Sequence, residues 1–303
     1  MQDLLAAIDL GTNTARLLIG ESRPDGTVLQ HFIRRRITRL GGGFTREYGI
    51  SPEARDRTLA ALQEFAADMA QHNVSRVRAV ATSAVRDAAN GKEFCREIRE
   101  TTGIALEVID GEEEGLLTLR GVLACLDERP EALLVFDVGG GSTEYTLTHD
   151  GVPLHTRSLP LGVVRLTEGK VECRAMADKI DRELTALRKE FAERRLLEYL
   201  DKAVLVGTAG TATTLAAISM EMTDYDYRRV NNYILSRAEI GVIFERLLPM
   251  TPAERLMVPG MEKGREDLII AGILITLQTM EVFGFDHLKV SDSGLLEGVL
   301  LSI

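Results

Sequence analysis

The chain has 303 residues, of which 45% are hydrophobic and 27% are charged, and its formal net charge is −10 at pH 7. This length is about twice that of a typical domain and predicts two lobes, while the negative charge argues against broad binding to nucleic acids or acidic membranes. Cys95, Cys125 and Cys173 lack metal-ligand spacing, and the acid at Asp3 comes too early for a signal peptide. We therefore expect a compact, cytoplasmic, enzyme-sized protein with no nucleic-acid or membrane partner.

The first half of the chain alternates strand and helix patterns, which is typical of an α/β fold. A helix is predicted to begin at Ser51-Pro52, because proline suits the first turn of a helix. Strands are predicted at about 76 to 81 and 104 to 109, separated by a helix near Glu93 to Thr101.

The second half continues the same alternation. A charged helix is predicted from about Met176 to Tyr199, followed by a strand at 203 to 206 and an Ala/Thr-rich helix from about Gly210. The apolar stretch from Leu268 to Phe283 is interrupted by two polar residues, so it predicts a buried helix and not a membrane span.

One segment recurs later in the chain. AAIDLGTNTARLLI, which contains Asp9, resembles LVFDVGGGSTEYTL, which contains Asp137, at an offset of 128 residues (137 − 9). An Asp-Gly turn follows each segment, and Thr82 aligns with Thr208 at an offset of 126 (208 − 82). A single strand-turn-strand match is expected by chance, but three anchors in the same order predict two similar lobes.

A glycine-rich loop follows the repeated strand in the second lobe. Gly139, Gly140 and Gly141 allow the backbone to approach a ligand closely and to turn several N–H groups toward one point, as in phosphate sites. Ser142 and Thr143 add hydroxyl donors. In isolation such a loop is equally compatible with a plain hairpin.

Two carboxylates, Asp137 and Glu144, stand at the ends of this strand-loop-strand. They are close enough in sequence to hold a hard divalent cation directly or through water, and Asp9 in the first lobe is a further candidate ligand. The first-lobe loop has the sequence GTNT and offers three polar side chains, those of Thr12, Asn13 and Thr14. We expect the two loops to face each other across a cleft and to form a phosphate clamp with a metal.

An ordered set of motifs resembles the exopolyphosphatase and guanosine pentaphosphate phosphohydrolase (Ppx/GppA) family, within the actin, Hsp70 and sugar-kinase-like superfamily. The motifs are AAIDLGTNTARLLI, TRLGGG, VRAVATSAVRDAANGKEF, VIDGEEEG, FDVGGGSTEYTL, SLPLGVVRLTE, VGTAGTATTLAAI, REDLIIAG and VSDSGLLEGVL. This resemblance implies two RNase H-like α/β lobes with an active-site cleft between them. It implies lobe I at 1–123 plus 293–303 and lobe II at 124–292, as in a short member without the C-terminal HD-like region of longer members.

The resemblance also implies an acid anhydride hydrolase whose catalytic base is Glu114, the last carboxylate of the family's EE(A/G) motif. This glutamate would activate water for attack on the terminal phosphate of inorganic polyphosphate or guanosine pentaphosphate, with Mg²⁺ or another divalent cation as cofactor. From the residues alone, EEEG would indicate a solvated helix N-terminus.

Arginines and a second loop complete the implied phosphate site. The arginines that match family motifs are Arg16, Arg39, Arg86 and Arg265. A guanidinium binds phosphate oxygens in bidentate fashion, which suits a polyanionic substrate. The GTAGT loop adds Gly207, Thr208, Gly210 and Thr211.

Two positions depart from the family pattern. Leu116 stands where the family often has an arginine, so one phosphate contact is missing. Ser293 in the VSDxGLxEG motif is a harmless change.

Two other functions stay open. A small-molecule kinase of the same superfamily would need an aspartate base and an adenosine pocket. A non-catalytic sensor of guanosine penta- or tetraphosphate or of polyphosphate could dispense with Glu114. The sequence leaves open which of the two substrates is preferred and whether the chain forms a homodimer.

Overall fold

A computed structural model describes residues 3–43, 49–169 and 172–303. The chain divides into two compact units: unit 1 contains Met1–Ala124 and Gly294–Ile303, and unit 2 contains Cys125–Ser293. Each unit has its own β-sheet and its own hydrophobic core. This mixed α/β architecture with two sheets confirms the predicted fold class.

The N-terminal part of unit 1 supplies all the strands of its sheet. Its elements are β1 (Leu5–Leu10), β2 (Thr14–Ser22), β3 (Val28–Ile37), α1 (Pro52–Gln71), β4 (Arg76–Ala81), α2 (Ser83–Arg86), α3 (Gly91–Thr102), β5 (Leu106–Val108) and α4 (Gly111–Leu123). The strand order is β3-β2-β1-β4-β5, in which β1, β2 and β3 form an antiparallel meander and β4 and β5 run parallel to β1.

Local sequence explains where α1 begins and how it packs. The Ser51 hydroxyl accepts a hydrogen bond from the backbone N–H of Ala54, and a proline occupies the first turn. Arg34 and Arg36 on β3 both form ion pairs with carboxylates of α1, so alternate residues of this strand share one face.

Unit 2 begins with β6 (Ala132–Val138), β7 (Thr143–His149), β8 (Val152–Leu159), α5 (Val163–Glu168), α6 (Cys173–Glu193), α7 (Leu197–Leu200), β9 (Ala203–Thr208) and α8 (Ala209–Ser219). It continues with α9 (Tyr227–Val230), β10 (Ile234–Ser236), α10 (Arg237–Leu247), α11 (Pro252–Leu256), α12 (Ile269–Phe283) and β11 (His287–Val290). The final helix, α13 (Leu295–Leu300), belongs to unit 1.

The sheet of unit 2 repeats the topology of unit 1. Its order is β10-β11-β9-β6-β7-β8, in which β6, β7 and β8 form an antiparallel meander and β9 and β11 continue in parallel beside β6. Without the added edge strand β10, this is the same RNase H-like order as in unit 1. The common topology confirms the internal repeat that the sequence predicted.

Helix α6 is shorter than the sequence predicted. The periodic pattern runs from Met176 to Tyr199, but α6 ends at Glu193 and a separate short helix, α7, follows. Arg195 has a positive φ of 61°, a conformation that breaks an α-helix and that no glycine marks in the sequence here.

Helices α4 and α13 of unit 1 pack unusually closely. A Cβ added at Gly121 would lie 1.9 Å from the carbonyl oxygen of Gly294, and one at Gly298 would lie 1.8 Å from the carbonyl oxygen of Leu117. Around this contact, apolar residues of both helices form a buried cluster with strands of the sheet. Helix α12 is buried as predicted, and no helix within the described ranges is long and apolar enough to cross a membrane.

Candidate functional site

Three loops of unit 1 lie at one edge of its sheet. Because β1, β4 and β5 are parallel, the segments that follow their C-terminal ends are neighbours. The hydroxyls of Thr12, after β1, and Ser83, after β4, share a buried hydrogen bond of 2.9 Å. Ser83 is not among the predicted site residues, although it follows directly on the Thr82 anchor of the repeat.

The GTNT loop is held by the TRLGGG segment. The backbone N–H groups of Thr38 and Arg39 donate to the Asn13 carbonyl at 3.1 and 2.9 Å, and that of Gly41 donates to the Thr12 carbonyl at 2.8 Å. A Cβ at Gly41 would lie 2.3 Å from the Thr12 side chain, so a glycine is required for this approach. The two segments therefore form one rigid backbone framework.

The side chain of Asn13 is buried in this framework without satisfying its polar atoms. The residue is 7% exposed, and neither Nδ2 nor Oδ1 has a hydrogen-bond partner within the described residues. Buried amides in proteins are nearly always hydrogen-bonded, so an unsatisfied one needs an explanation. A bound polar ligand such as a phosphate is the kind of partner that would provide it.

Asp9 and Arg16 face each other across β1 and β2 and form an ion pair. Arg16 Nε and Nη2 both donate to Asp9 Oδ2, at 3.0 and 2.7 Å. Arg16, the predicted phosphate ligand, and Asp9, the predicted metal ligand, therefore bind each other in this structure. Both predicted roles stay predictions.

Glu114 lies in the first turn of α4, which is capped by the Asp110 carboxylate accepting from the backbone N–H of Glu113 at 2.9 Å. The Glu114 side chain is only 9% exposed, and its Oε2 lies 3.4 Å from Nη1 of Arg86. The same Arg86 nitrogen donates to the Ile109 carbonyl at 3.0 Å. For Glu114, the interpretation of EEEG as solvated residues is therefore wrong.

The other residues of this turn are more accessible. Glu112 is exposed, and Glu113 pairs with Arg78 at 2.7 Å. Leu116, at the position where the family often has an arginine, is 37% exposed. Of the three adjacent acids, only Glu114 is buried and also lies beside an arginine of the family motifs, Arg86.

In unit 2, Asp137 and Glu144 are direct cross-strand partners on β6 and β7. Side chains of such partners lie on the same face, a few ångströms apart, and both residues are buried. Ser158 on β8 donates to Glu144 Oε1 at 2.6 Å, which orients that carboxylate.

This carboxylate pair fits the donor set of a magnesium site. Mg²⁺ is usually held by one or two carboxylates together with waters and substrate phosphates. The described residues contain no group of three or more His, Cys, Asp or Glu side chains arranged for a metal. Water and substrate would therefore have to supply the remaining ligands.

The backbone of the GGGST loop is fixed by α5. The carbonyls of Gly139 and Gly140 accept from the N–H groups of Val163 and Val164, at 3.0 and 2.9 Å. The Thr143 hydroxyl donates to a backbone carbonyl and is fully buried, which gives this side chain a structural partner. The predicted phosphate contacts of this loop stay predictions.

The GTAGT loop joins β9 to α8 at the same edge of the unit 2 sheet, because Thr208 lies beside Asp137 in the parallel pair of β9 and β6. Thr208 Oγ1 donates to the Ser293 carbonyl at 2.9 Å, and the carbonyl of Gly207 accepts from the Ser291 N–H at 2.9 Å. The loop is thus tied to the segment that follows β11.

Arg265 lies directly on the first turn of α8. A Cβ at Gly210 would be 1.6 Å from Arg265 Cζ, so the guanidinium occupies the space that any other side chain would need. Arg265 Nε also donates to Glu262 at 2.5 Å. Thr211 points away from this contact and packs against Gly272 of α12.

The predicted site residues thus form two clusters, one in each unit. The unit 1 cluster contains Asp9, Thr12, Asn13, Thr14, Arg16, Arg39, Arg86 and Glu114. The unit 2 cluster contains Asp137, Gly139, Gly140, Gly141, Ser142, Thr143, Glu144, Gly207, Thr208, Gly210, Thr211 and Arg265. The individual roles assigned to these residues stay predictions.

Three known proteins that are similar to this chain carry the name exopolyphosphatase or Ppx/GppA. Exopolyphosphatase 2 of Mycobacterium tuberculosis is 35% identical over 316 residues, covering 99% of this chain and 98% of that protein. The crystal structure of an exopolyphosphatase from Cytophaga hutchinsonii has a TM-score of 0.89 at 29% identity, over 99% of this chain and 97% of that one. The Aquifex aeolicus Ppx/GppA family member has a TM-score of 0.81 at 32% identity, over 99% and 97% of the two chains.

A model of the Ppx/GppA phosphatase family matches residues 23–303, which is most of the chain. Together with the full-length similarity to Exopolyphosphatase 2, this match shows that the chain belongs to the Ppx/GppA phosphatase family.

Proposed function

We propose that the protein hydrolyses the terminal phosphoanhydride of inorganic polyphosphate, of guanosine pentaphosphate, or of both, and releases orthophosphate. Family membership supports a phosphatase, and the M. tuberculosis relative is named an exopolyphosphatase. The observation that carries the proposal is the buried Glu114 carboxylate beside Arg86. The same sheet edge presents the Asn13 amide, whose polar atoms have no hydrogen-bond partner among the residues that the structure describes.

In this proposal Glu114 is the general base. Its carboxylate takes a proton from a water molecule while the water oxygen attacks the terminal phosphorus, and the bond from phosphorus to the bridging oxygen breaks. The leaving phosphate takes the electron pair of that bond. Arg86 holds Glu114 in place and binds oxygens of the phosphate that is transferred.

The remaining residues bind and neutralise the substrate. A divalent cation, held by Asp137 and Glu144 with Asp9 as a further candidate, would neutralise charge on the phosphate oxygens. The backbone N–H groups and hydroxyls of GTNT, GGGST and GTAGT would bind further phosphate oxygens, with Arg16, Arg39 and Arg265 adding positive charge.

The deciding experiment measures orthophosphate release from short polyphosphate, long polyphosphate and guanosine pentaphosphate side by side, with Mg²⁺ and with EDTA. We expect Mg²⁺-dependent release from at least one substrate. Tight binding of all three without release would contradict hydrolysis and favour a sensor. An ATP-dependent phosphorylated product would instead identify a kinase.

A further inference from the structure

A row of three polar side chains crosses the sheet of unit 2 beside the GGGST loop. Asp137 on β6, Glu144 on β7 and Ser158 on β8 are successive cross-strand partners, so their side chains lie on one face of the sheet. Asp137 is 8% exposed and Glu144 is 2% exposed, while Ser158 is half-buried. The row therefore combines two buried carboxylates with one hydroxyl, and Ser158 is not among the predicted site residues.

The equivalent row in unit 1 has a different charge balance. In the internal repeat Asp9 corresponds to Asp137 and Arg16 corresponds to Glu144, both at an offset of 128 residues (137 − 9 and 144 − 16). In unit 1 the Arg16 guanidinium forms an ion pair with Asp9. In unit 2 a second carboxylate stands where unit 1 has the guanidinium. Of the two rows, it is the one in unit 2 that offers a pair of carboxylates to a cation.

Ser158 controls how Glu144 is presented. Its hydroxyl donates to Glu144 Oε1 at 2.6 Å, which is the length of a strong, charge-assisted hydrogen bond. The two residues are paired on neighbouring strands, so the hydroxyl is carried by a rigid element of the sheet. The bond engages one of the two carboxylate oxygens and opposes rotation of the carboxylate group. In this orientation Oε2 is the oxygen through which Glu144 would bind a cation.

We propose that Ser158 is a positioning residue that makes the carboxylate pair selective for Mg²⁺ over Ca²⁺, an inference that rests on the metal site of the proposed function. Mg²⁺ demands a near-ideal octahedral set of ligands, whereas Ca²⁺ accepts more oxygens in a flexible geometry and often takes both oxygens of one carboxylate. A contact through both oxygens requires the Glu144 carboxylate to turn, and the bond from Ser158 opposes this turn. Ser158 therefore favours the cation that needs only one oxygen of Glu144.

The test measures cation binding in the absence of substrate and turnover. Binding of Mn²⁺ is followed by electron paramagnetic resonance, and Mg²⁺ and Ca²⁺ are titrated as competitors, which gives both affinities for the same site. Removing the hydrogen-bond partner of a metal ligand typically lowers the metal affinity, so Ser158→Ala should bind Mg²⁺ at least about tenfold more weakly. The Ca²⁺ affinity should stay within about threefold of wild type, because Glu144 can then turn both oxygens toward the ion.

A conservative variant and a matched control locate the effect. Ser158→Thr keeps the hydroxyl and suits a strand, so it should retain the preference for Mg²⁺ over Ca²⁺. Thr156 lies two positions earlier on β8, on the same face, and its hydroxyl accepts a hydrogen bond from Thr146 at 3.3 Å. Thr156→Ala removes this cross-strand bond without touching Glu144 and should leave both affinities unchanged. Thermal unfolding of each variant checks that the sheet is intact.

The outcomes separate this inference from the proposed function. A loss of Mg²⁺ preference in Ser158→Ala that Ser158→Thr does not show would support the inference. An unchanged ratio of the Mg²⁺ and Ca²⁺ affinities in Ser158→Ala, including an equal loss of both, would overturn it even if polyphosphate is hydrolysed. The same selective loss in Thr156→Ala, or a wild-type protein that binds no Mn²⁺, would overturn it as well. Selective loss in Ser158→Ala without orthophosphate release by wild type would overturn the proposed hydrolysis and not the role of Ser158.

Discussion

Replacing Glu114 by glutamine removes a proton acceptor while keeping nearly the same side-chain volume. The side chain is 9% exposed and lies 3.4 Å from Arg86, so the substitution acts at a buried contact and needs little repacking. Because the amide does not accept a proton from water, turnover should fall by a factor of about 10² to 10⁴. This loss corresponds to about 2.7 to 5.5 kcal/mol in the activation free energy.

In contrast to turnover, substrate binding by Glu114→Gln should stay the same or become tighter. At 3.4 Å the attraction between the two charges is about 5 kcal/mol for an effective dielectric constant of about 20. In Glu114→Gln this competing carboxylate is gone, so Arg86 is more available to phosphate. We therefore expect kcat to collapse while KM stays the same or decreases.

The assay is steady-state orthophosphate release, together with substrate binding measured by calorimetry. Glu112→Gln is the matched control, since it makes the same chemical change at an exposed position of the same helical turn. It should leave kcat within about threefold of wild type. If Glu114→Gln also retained activity within about threefold, another carboxylate would have to be the base.

Three other changes test the metal pair, a helix contact and the phenol of Tyr225. Asp137→Asn removes one of two facing carboxylates, so more Mg²⁺ should be needed for half-maximal activity. Excess Mg²⁺ should partly restore turnover. An unchanged Mg²⁺ titration would contradict the metal assignment. Gly298→Ala would place a methyl group 1.8 Å from the Leu117 carbonyl oxygen. Denaturant unfolding should show a loss of about 1 to 3 kcal/mol, whereas Gly241→Ala, with open space around it, should cause no loss. Partial desolvation of the hydroxyl, and then the negative charge of Asp292 to which it donates a hydrogen bond, raise the pKa of Tyr225. Wild type and Tyr225→Phe should therefore show the same ultraviolet ionisation change between about pH 8 and about pH 11, and this group's contribution to stability should be lost as the pH rises above about 10.

Much of the fold was predictable because strand and helix periods act locally. The predicted strand at 76 to 81 coincides with β4. The period of two along β3 is also local, and it places Arg34 and Arg36 on the face that pairs with α1. Where the chain departs from its local pattern, as at Arg195, the conformation depends on packing around it and the sequence carries no signal.

The candidate site was predictable to the extent that the backbone itself dictates it. Asp137 and Glu144 flank a tight loop, and their separation in sequence is enough to make them cross-strand partners. Glu112 and Glu114 are the same residue type in one helical turn, yet only Glu114 is buried. That difference depends on how α4 is rotated against its neighbours, which is a long-range property.

Unit 2 also contains a cavity of about 520 Å³, and no local pattern in the sequence indicates it. Its wall combines the end of α8 at Ala217 with residues up to Glu262, which are about 45 positions apart (262 − 217). The apolar residues in these segments look like ordinary core residues in the sequence. Only the folded chain shows that they surround empty space beside Arg265.

The glycine contact between α4 and α13 also has a consequence for the order in which the protein is made. Unit 2 is one continuous segment, but the two parts of unit 1 are separated by 170 positions (294 − 124). During synthesis, the contact between Gly121 of α4 and Gly298 of α13 therefore cannot form until the whole of unit 2 has left the ribosome. Unit 2 is free to fold first. Until then the apolar side of α4 lacks its contact with α13, so the element that carries Glu114 completes its packing only after unit 2 has been made.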